Sequence, residues 1–138
     1  MTRLREILLV DDYEADNFLH RMVIEELGCA ERVVSVGNGR EALAYLTTER
    51  DGGYPKPDLI FLDINMPVMN GWEFLEAYHA LDESFQEGIV IMMLTTSLNP
   101  DDQRRALEQE EVEGFISKPL DRETLERLLE EHFPADAG

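Results

Sequence analysis

Short apolar runs cut off by polar residues recur along the chain: Ile7-Leu8-Leu9-Val10, Val33-Val34 with Val36, Leu59-Ile60-Phe61-Leu62, and Ile89 through Leu94. Each is long enough for a strand and too short to stand alone as a helix. Between them the period lengthens. Phe18, Leu19, Met22, Val23 and Leu27 mark one stripe of a helix that starts near Ala15 or Asp16 and stops at Gly28. Asn38 followed by Glu41 reads as a capping box ahead of Ala42, Leu43 and Leu46. A third helix, from about Gly71 to Leu81, is expected to bury Phe74, Leu75 and Tyr78. Asn99-Pro100 opens a fourth in the preferred order, cap and then proline. That helix carries Ala106 and Leu107 but little else apolar, so it is expected to be the least firmly packed. Gly114 to Ser117 is a short fifth strand. Leu125, Leu128, Leu129 and Phe133 line a last helix capped by Asp121 or Thr124.

This alternation predicts an α/β domain, a doubly wound five-stranded parallel sheet with helices on both faces. The domain is expected over 1–133, with 134–138 a short frayed tail. At 138 residues and 43% apolar, the chain is large enough for a core. No apolar run is long enough to cross a bilayer, and MTRLREILLVDD meets acid after four apolar residues, so it reads as a strand and not a signal peptide. Cys29 is alone, which excludes an internal disulfide and a thiolate metal cluster. A cytoplasmic setting fits these features. The net charge of −18 argues against nucleic acid and anionic membranes as partners. Its plain reading is solubility; docking to a basic partner is the alternative. His20, His79 and His132 fall on separate helices and read as surface or boundary residues.

In a parallel sheet the carboxyl ends of all strands share one edge, where open α/β folds place their chemistry. The first strand brings Asp11 and Asp12 there, the third Asp63, the fourth Thr95 and the fifth Lys118. Asn65, Pro67, Asn70 and Gly71 turn the chain directly after Asp63. Three gathered carboxylates repel one another unless a cation sits among them. Lys118 supplies one charge, and oxygen ligands suit a hard divalent ion such as Mg²⁺. With that ion bound, Asp63 becomes a nucleophile towards phosphorus. Positive charge from the ion and Lys118, and a hydrogen bond from Thr95, suit a transferring phosphoryl group. Asp16 and Glu14 lie near this edge in sequence and read as adding field only.

The pieces ILLVDD (7–12), FLDINMPVMNG (61–71), MLTTS (93–97) and FISKPL (115–120), in this order and spacing, resemble the receiver domain of two-component response regulators over nearly the whole chain. The resemblance implies a flavodoxin-like (βα)5 fold with strand order 2-1-3-4-5. It implies phosphorylation of Asp63 by a histidine kinase or histidine phosphotransfer protein, with Mg²⁺ as cofactor. Asp12 and Asp63 would ligate the ion by their side chains, Asn65 by its backbone carbonyl, and Asp11 through water. Lys118 would contact the phosphoryl group, with a cis bond to Pro119. Thr95 would move to a phosphoryl oxygen and let Phe115 turn inward, where the family often has tyrosine.

The resemblance also implies a phospho-accepting signalling protein and not an enzyme, acting on a downstream target protein. The expected output face is the fourth helix, fifth strand and fifth helix, through which receivers also dimerise. The alternative is a relay intermediate that passes phosphate to another histidine. A haloacid-dehalogenase-like phosphatase would need an acid two residues after the nucleophile, and Asn65 stands there.

Overall fold

The computed structural model describes residues 3–96 and 99–134. Ser97 with its hydroxyl, Leu98 and the tail after Pro134 that is expected to fray lie outside the described residues. The elements run β1 (Leu4–Val10), α1 (Glu14–Leu27), β2 (Ala30–Val36), α2 (Gly39–Thr47), β3 (Leu59–Leu62), α3 (Gly71–His79), β4 (Val90–Thr95), α4 (Pro100–Glu108), β5 (Val112–Ser117) and α5 (Arg122–His132). A single 3-10 turn, Glu83–Phe85, precedes β4. Every strand pairing is parallel and the order is β2-β1-β3-β4-β5. The alternation of apolar runs predicts the parallel sheet with helices on both faces, and the family resemblance its flavodoxin-like order.

Alternate strand residues point to opposite faces of the sheet. Leu8, Val10, Ile60, Leu62 and Met93 pack with Ala42, Leu46, Phe74 and Tyr78 of α2 and α3. Ile7, Leu9, Leu59, Phe61 and Leu94 pack on the other face with Ile24 of α1 and Leu125, Leu128 and Leu129 of α5. β3 is in the middle and wholly buried. Its four residues can be apolar without interruption only because both faces are covered. Among the described residues no helix is long and apolar enough to cross a membrane.

Three local expectations need correction. The stripe assigned to α1 is rotated: His20 and Ile24 are its buried residues, while Phe18, Leu19 and Met22 are 62%, 51% and 41% exposed. His20 is therefore a core residue and not a surface one. Burial, with Lys118 nearby, pushes its imidazole below the ordinary value. The reciprocal capping box sits at Asn70 and Glu73, where each side chain bonds the other's backbone N–H. At Asn38 the side chain accepts from Glu41 N, but Glu41 answers the Asn38 side-chain amide instead of its backbone. α4 buries only Ala106, as its sparse apolar pattern foretells.

Candidate functional site

The sheet ladder runs one residue beyond three of the strands. Asp11 N donates to Val36 O at 3.1 Å, Asp63 N to Val10 O at 3.0 Å, and Lys118 N to Thr95 O at 2.9 Å. Each of these three candidate residues is thus held by its backbone at the carboxyl edge. The parallel registers Val10 with Leu62, Leu62 with Met93 and Thr95 with Ser117 bring the residues that follow to a common level. The strand-end residues singled out from sequence are therefore brought together.

Carboxylate oxygens of Asp11, Asp12 and Asp63 all lie within 4.8 Å of one another. Asp11 and Asp63 are buried and Asp12 is exposed. Asp63 Oδ1 accepts from Ile64 N at 2.9 Å, and the Thr95 side chain hydrogen-bonds the same carboxylate. Burial raises the Asp63 pKa above the ordinary carboxylate value; Lys118 opposes this and Asp11 reinforces it. Such a group of hard oxygen donors, with one carboxylate open to solvent, fits a small divalent cation.

Lys118 is not centred on Asp63. Its Nζ donates to Asp11 Oδ2 at 2.5 Å and to Asp16 Oδ2 at 2.8 Å, and stands 3.6 Å from Asp63 Oδ2. Burial works to lower the pKa of this ammonium, but the bonds to Asp11 and Asp16 outweigh it and the net shift is upward. Asp11 is fully engaged, since its Oδ1 accepts from Tyr13 N at 3.0 Å. The Lys118–Pro119 peptide is cis. Asn65 is exposed beside Asp63, and Phe115, half-buried on β5, packs against the α2–α3 side of the core.

Two residues do more here than their sequence reading assigns them. Asp16 contacts Lys118 directly across 102 positions in the chain. No local pattern encodes that pairing. Gly71 was read as a turn residue, yet its role is steric: a Cβ there would lie 2.4 Å from Asp63 O. Only glycine lets α3 start against the backbone of Asp63. The loop between them contains a strained point as well. Val68 has φ 71° and is bridged by a Met69 N to Pro67 O bond of 2.9 Å, a tight turn that β-branched residues rarely enter.

The family model described as the response regulator receiver domain matches residues 7–130. The probable methanogenesis regulatory protein FilR2 of Methanothrix harundinacea is 35% identical over 125 residues, which cover 91% of this chain and 79% of that protein. Among solved structures, a two-component response regulator from Cytophaga hutchinsonii superposes with a TM-score of 0.81 at 29% identity, covering 94% of this chain and 96% of that one. The phosphorylated cyanobacterial phytochrome response regulator RcpA gives a TM-score of 0.75 at 31% identity, covering 97% and 96%. This chain belongs to the response regulator receiver domain family, whose general function is to take a phosphoryl group on an aspartate in two-component signalling.

Proposed function

We propose that Asp63 is the phosphoacceptor and that its phosphorylation by a histidine kinase or histidine phosphotransfer protein switches binding to a target protein. One observation carries the reading. A buried carboxylate at the end of the central strand has an ammonium 3.6 Å away, a hydroxyl on it and two further carboxylates at the same rim.

Asp12 and Asp63 would hold Mg²⁺ with their carboxylates and Asn65 with its backbone carbonyl. Asp11, whose two oxygens already have protein partners, would act through water. The bound ion supplies positive charge for the phosphoryl oxygens. In the transfer, an Asp63 oxygen attacks phosphorus, and the phosphorus–nitrogen bond of the donor phosphohistidine breaks. The imidazole leaves with the electron pair and takes a proton from solvent. Lys118 contacts the phosphoryl group, and Thr95 turns its hydroxyl from the carboxylate to a phosphoryl oxygen.

Thr95 and Phe115 are the switch in this reading. Thr95 is buried at the end of β4 and Phe115 is only half-buried on neighbouring β5, so both can rearrange beside the weakly packed α4. The phosphoryl group shifts that equilibrium only by its preference for the active arrangement. The output surface is then α4, β5 and α5, which also offers a route to homodimers. A cytoplasmic location follows from the donors invoked.

The test is intact mass after treatment with a small phosphodonor and Mg²⁺. One phosphoryl group is expected on the wild type and none on Asp63→Asn; modification of the variant would overturn the assignment. The lifetime of that group, with and without a histidine phosphotransfer protein, separates a terminal regulator from a relay.

A further inference from the structure

Lys118 has three N–H donors, and two of them are committed to Asp11 and Asp16 at 2.5 and 2.8 Å. The phosphoacceptor, at 3.6 Å, receives no full hydrogen bond from it. The two carboxylates that hold the ammonium differ in a way that matters. The Asp11 side chain is 6% exposed and is also bonded by Tyr13 N. That of Asp16 is 23% exposed, lies in the first turn of α1, and reaches solvent with the rest of its surface. A carboxylate that can return to water gives up an ion pair at much lower cost than one that would stay buried and unpaired.

We infer that Asp16 is a positioning residue for phosphoryl transfer: it holds Lys118 on the α1 side of the pocket and is the partner the ammonium releases when a phosphoryl group forms on Asp63. The inference rests on Asp63 being the phosphoacceptor. It gives Asp16 a definite sign. Asp16 competes with the phosphoryl group for Lys118, so it weakens the phosphorylated arrangement relative to the resting one and brings the ammonium back when the phosphate is lost. It also gives α1 a direct stake in the pocket, through a contact made in one state and lost in the other.

The experiment is titration of beryllofluoride, a phosphoryl mimic, at saturating Mg²⁺, followed by the fluorescence of Trp72. The affinity for Mg²⁺ alone is measured separately. Asp16→Asn and Asp16→Ser are compared with Asp16→Glu, which keeps the carboxylate, and with Glu14→Gln. That last variant removes the same charge from the same exposed turn without touching a pair seen in the structure. The expected result is that both neutral Asp16 variants bind beryllofluoride on the order of tenfold tighter than wild type, the scale of one charge-assisted hydrogen bond. Asp16→Glu should return to wild-type affinity and Glu14→Gln should change it little. Binding in Asp16→Asn that is unchanged, weaker, or matched by Glu14→Gln would overturn the inference while leaving Asp63 as phosphoacceptor. Failure of the wild type to bind would remove the phosphoacceptor reading, and this inference with it.

Discussion

The guanidinium carbon of Arg105, on α4, sits 4.5 Å from the ring centroid of Trp72, on α3. Since α4 buries only Ala106, this cation–π contact is a side-chain tie between the helix and α3. If α4 moves on phosphorylation, the contact must loosen. Cation–π pairs at exposed sites are worth about 0.5–1 kcal/mol, so Arg105→Ala should tighten beryllofluoride binding about two- to fivefold. Because Trp72 is the single tryptophan, its emission should change on activation in the wild type and change much less in the variant. Equal affinities would show that the contact is indifferent to the switch.

Burial raises the pKa of Asp63 against the pull of Lys118. The stabilising preference of the folded state for the proton is complete below the ordinary value of 3.8 and is lost as pH rises through the raised one. At pH 7 without metal, the carboxyl of Asp63 is therefore a net cost to the fold relative to acid pH. Asp63→Asn should melt several degrees higher than wild type under those conditions, and the advantage should shrink on acidification. Added Mg²⁺ should stabilise the wild type more than the variant. Thermal melts with and without metal decide this, and a variant that melts lower at pH 7 would contradict it.

His20 behaves in the opposite sense. Its folded pKa lies below the ordinary 6.5, so its contribution to stability is present above that value and fades as pH falls beneath it. Urea midpoints should drop between pH 7.5 and 5.5 in the wild type and drop less in His20→Gln, which cannot charge. Parallel curves would mean that the imidazole titrates freely.

Phe18, Leu19 and Met22 form an exposed apolar strip on α1, the helix whose first turn reaches the pocket through Asp16. On the function proposed above, this strip is a candidate docking surface for a histidine donor. Leu19→Asp should then slow transfer from a histidine phosphotransfer protein by tenfold or more, the loss expected when an interface anchor is removed. Phosphorylation by a small phosphodonor should be unaffected, since that reagent needs no docking surface. Parallel loss with both donors would point to damage within the pocket instead.

The fold and the pocket were legible in the sequence to different depths. Asp11, Asp63 and Lys118 could be placed because a parallel sheet converts the residue after each apolar run into a neighbour of the others. The strand order needed the family resemblance. The face of α1 could not be read because the helix carries two apolar stripes, and the one containing His20 looks the more polar until the sheet is seen to cover it. Asp16 reads from sequence as adding field only, because its pairing with Lys118 depends on how far two side chains reach across the rim, which no local pattern records.

At the far rim of the sheet, Tyr45 donates its hydroxyl to both oxygens of Glu6, at 2.9 and 2.8 Å, and Arg32 approaches the same carboxylate at 3.3 Å. Burial and that carboxylate push the phenol up to about 12, so it stays a donor across the physiological range. β1 is thus clamped near its beginning by uncharged and charged bonds alike, while its other end leads into Asp11 and Asp12. An anchored foot lets the tips of the strands be remodelled without the sheet creeping along its own axis. Substitutions meant to retune phosphate lifetime can therefore be confined to one end of the molecule, with the Glu6 cluster left as a fixed reference.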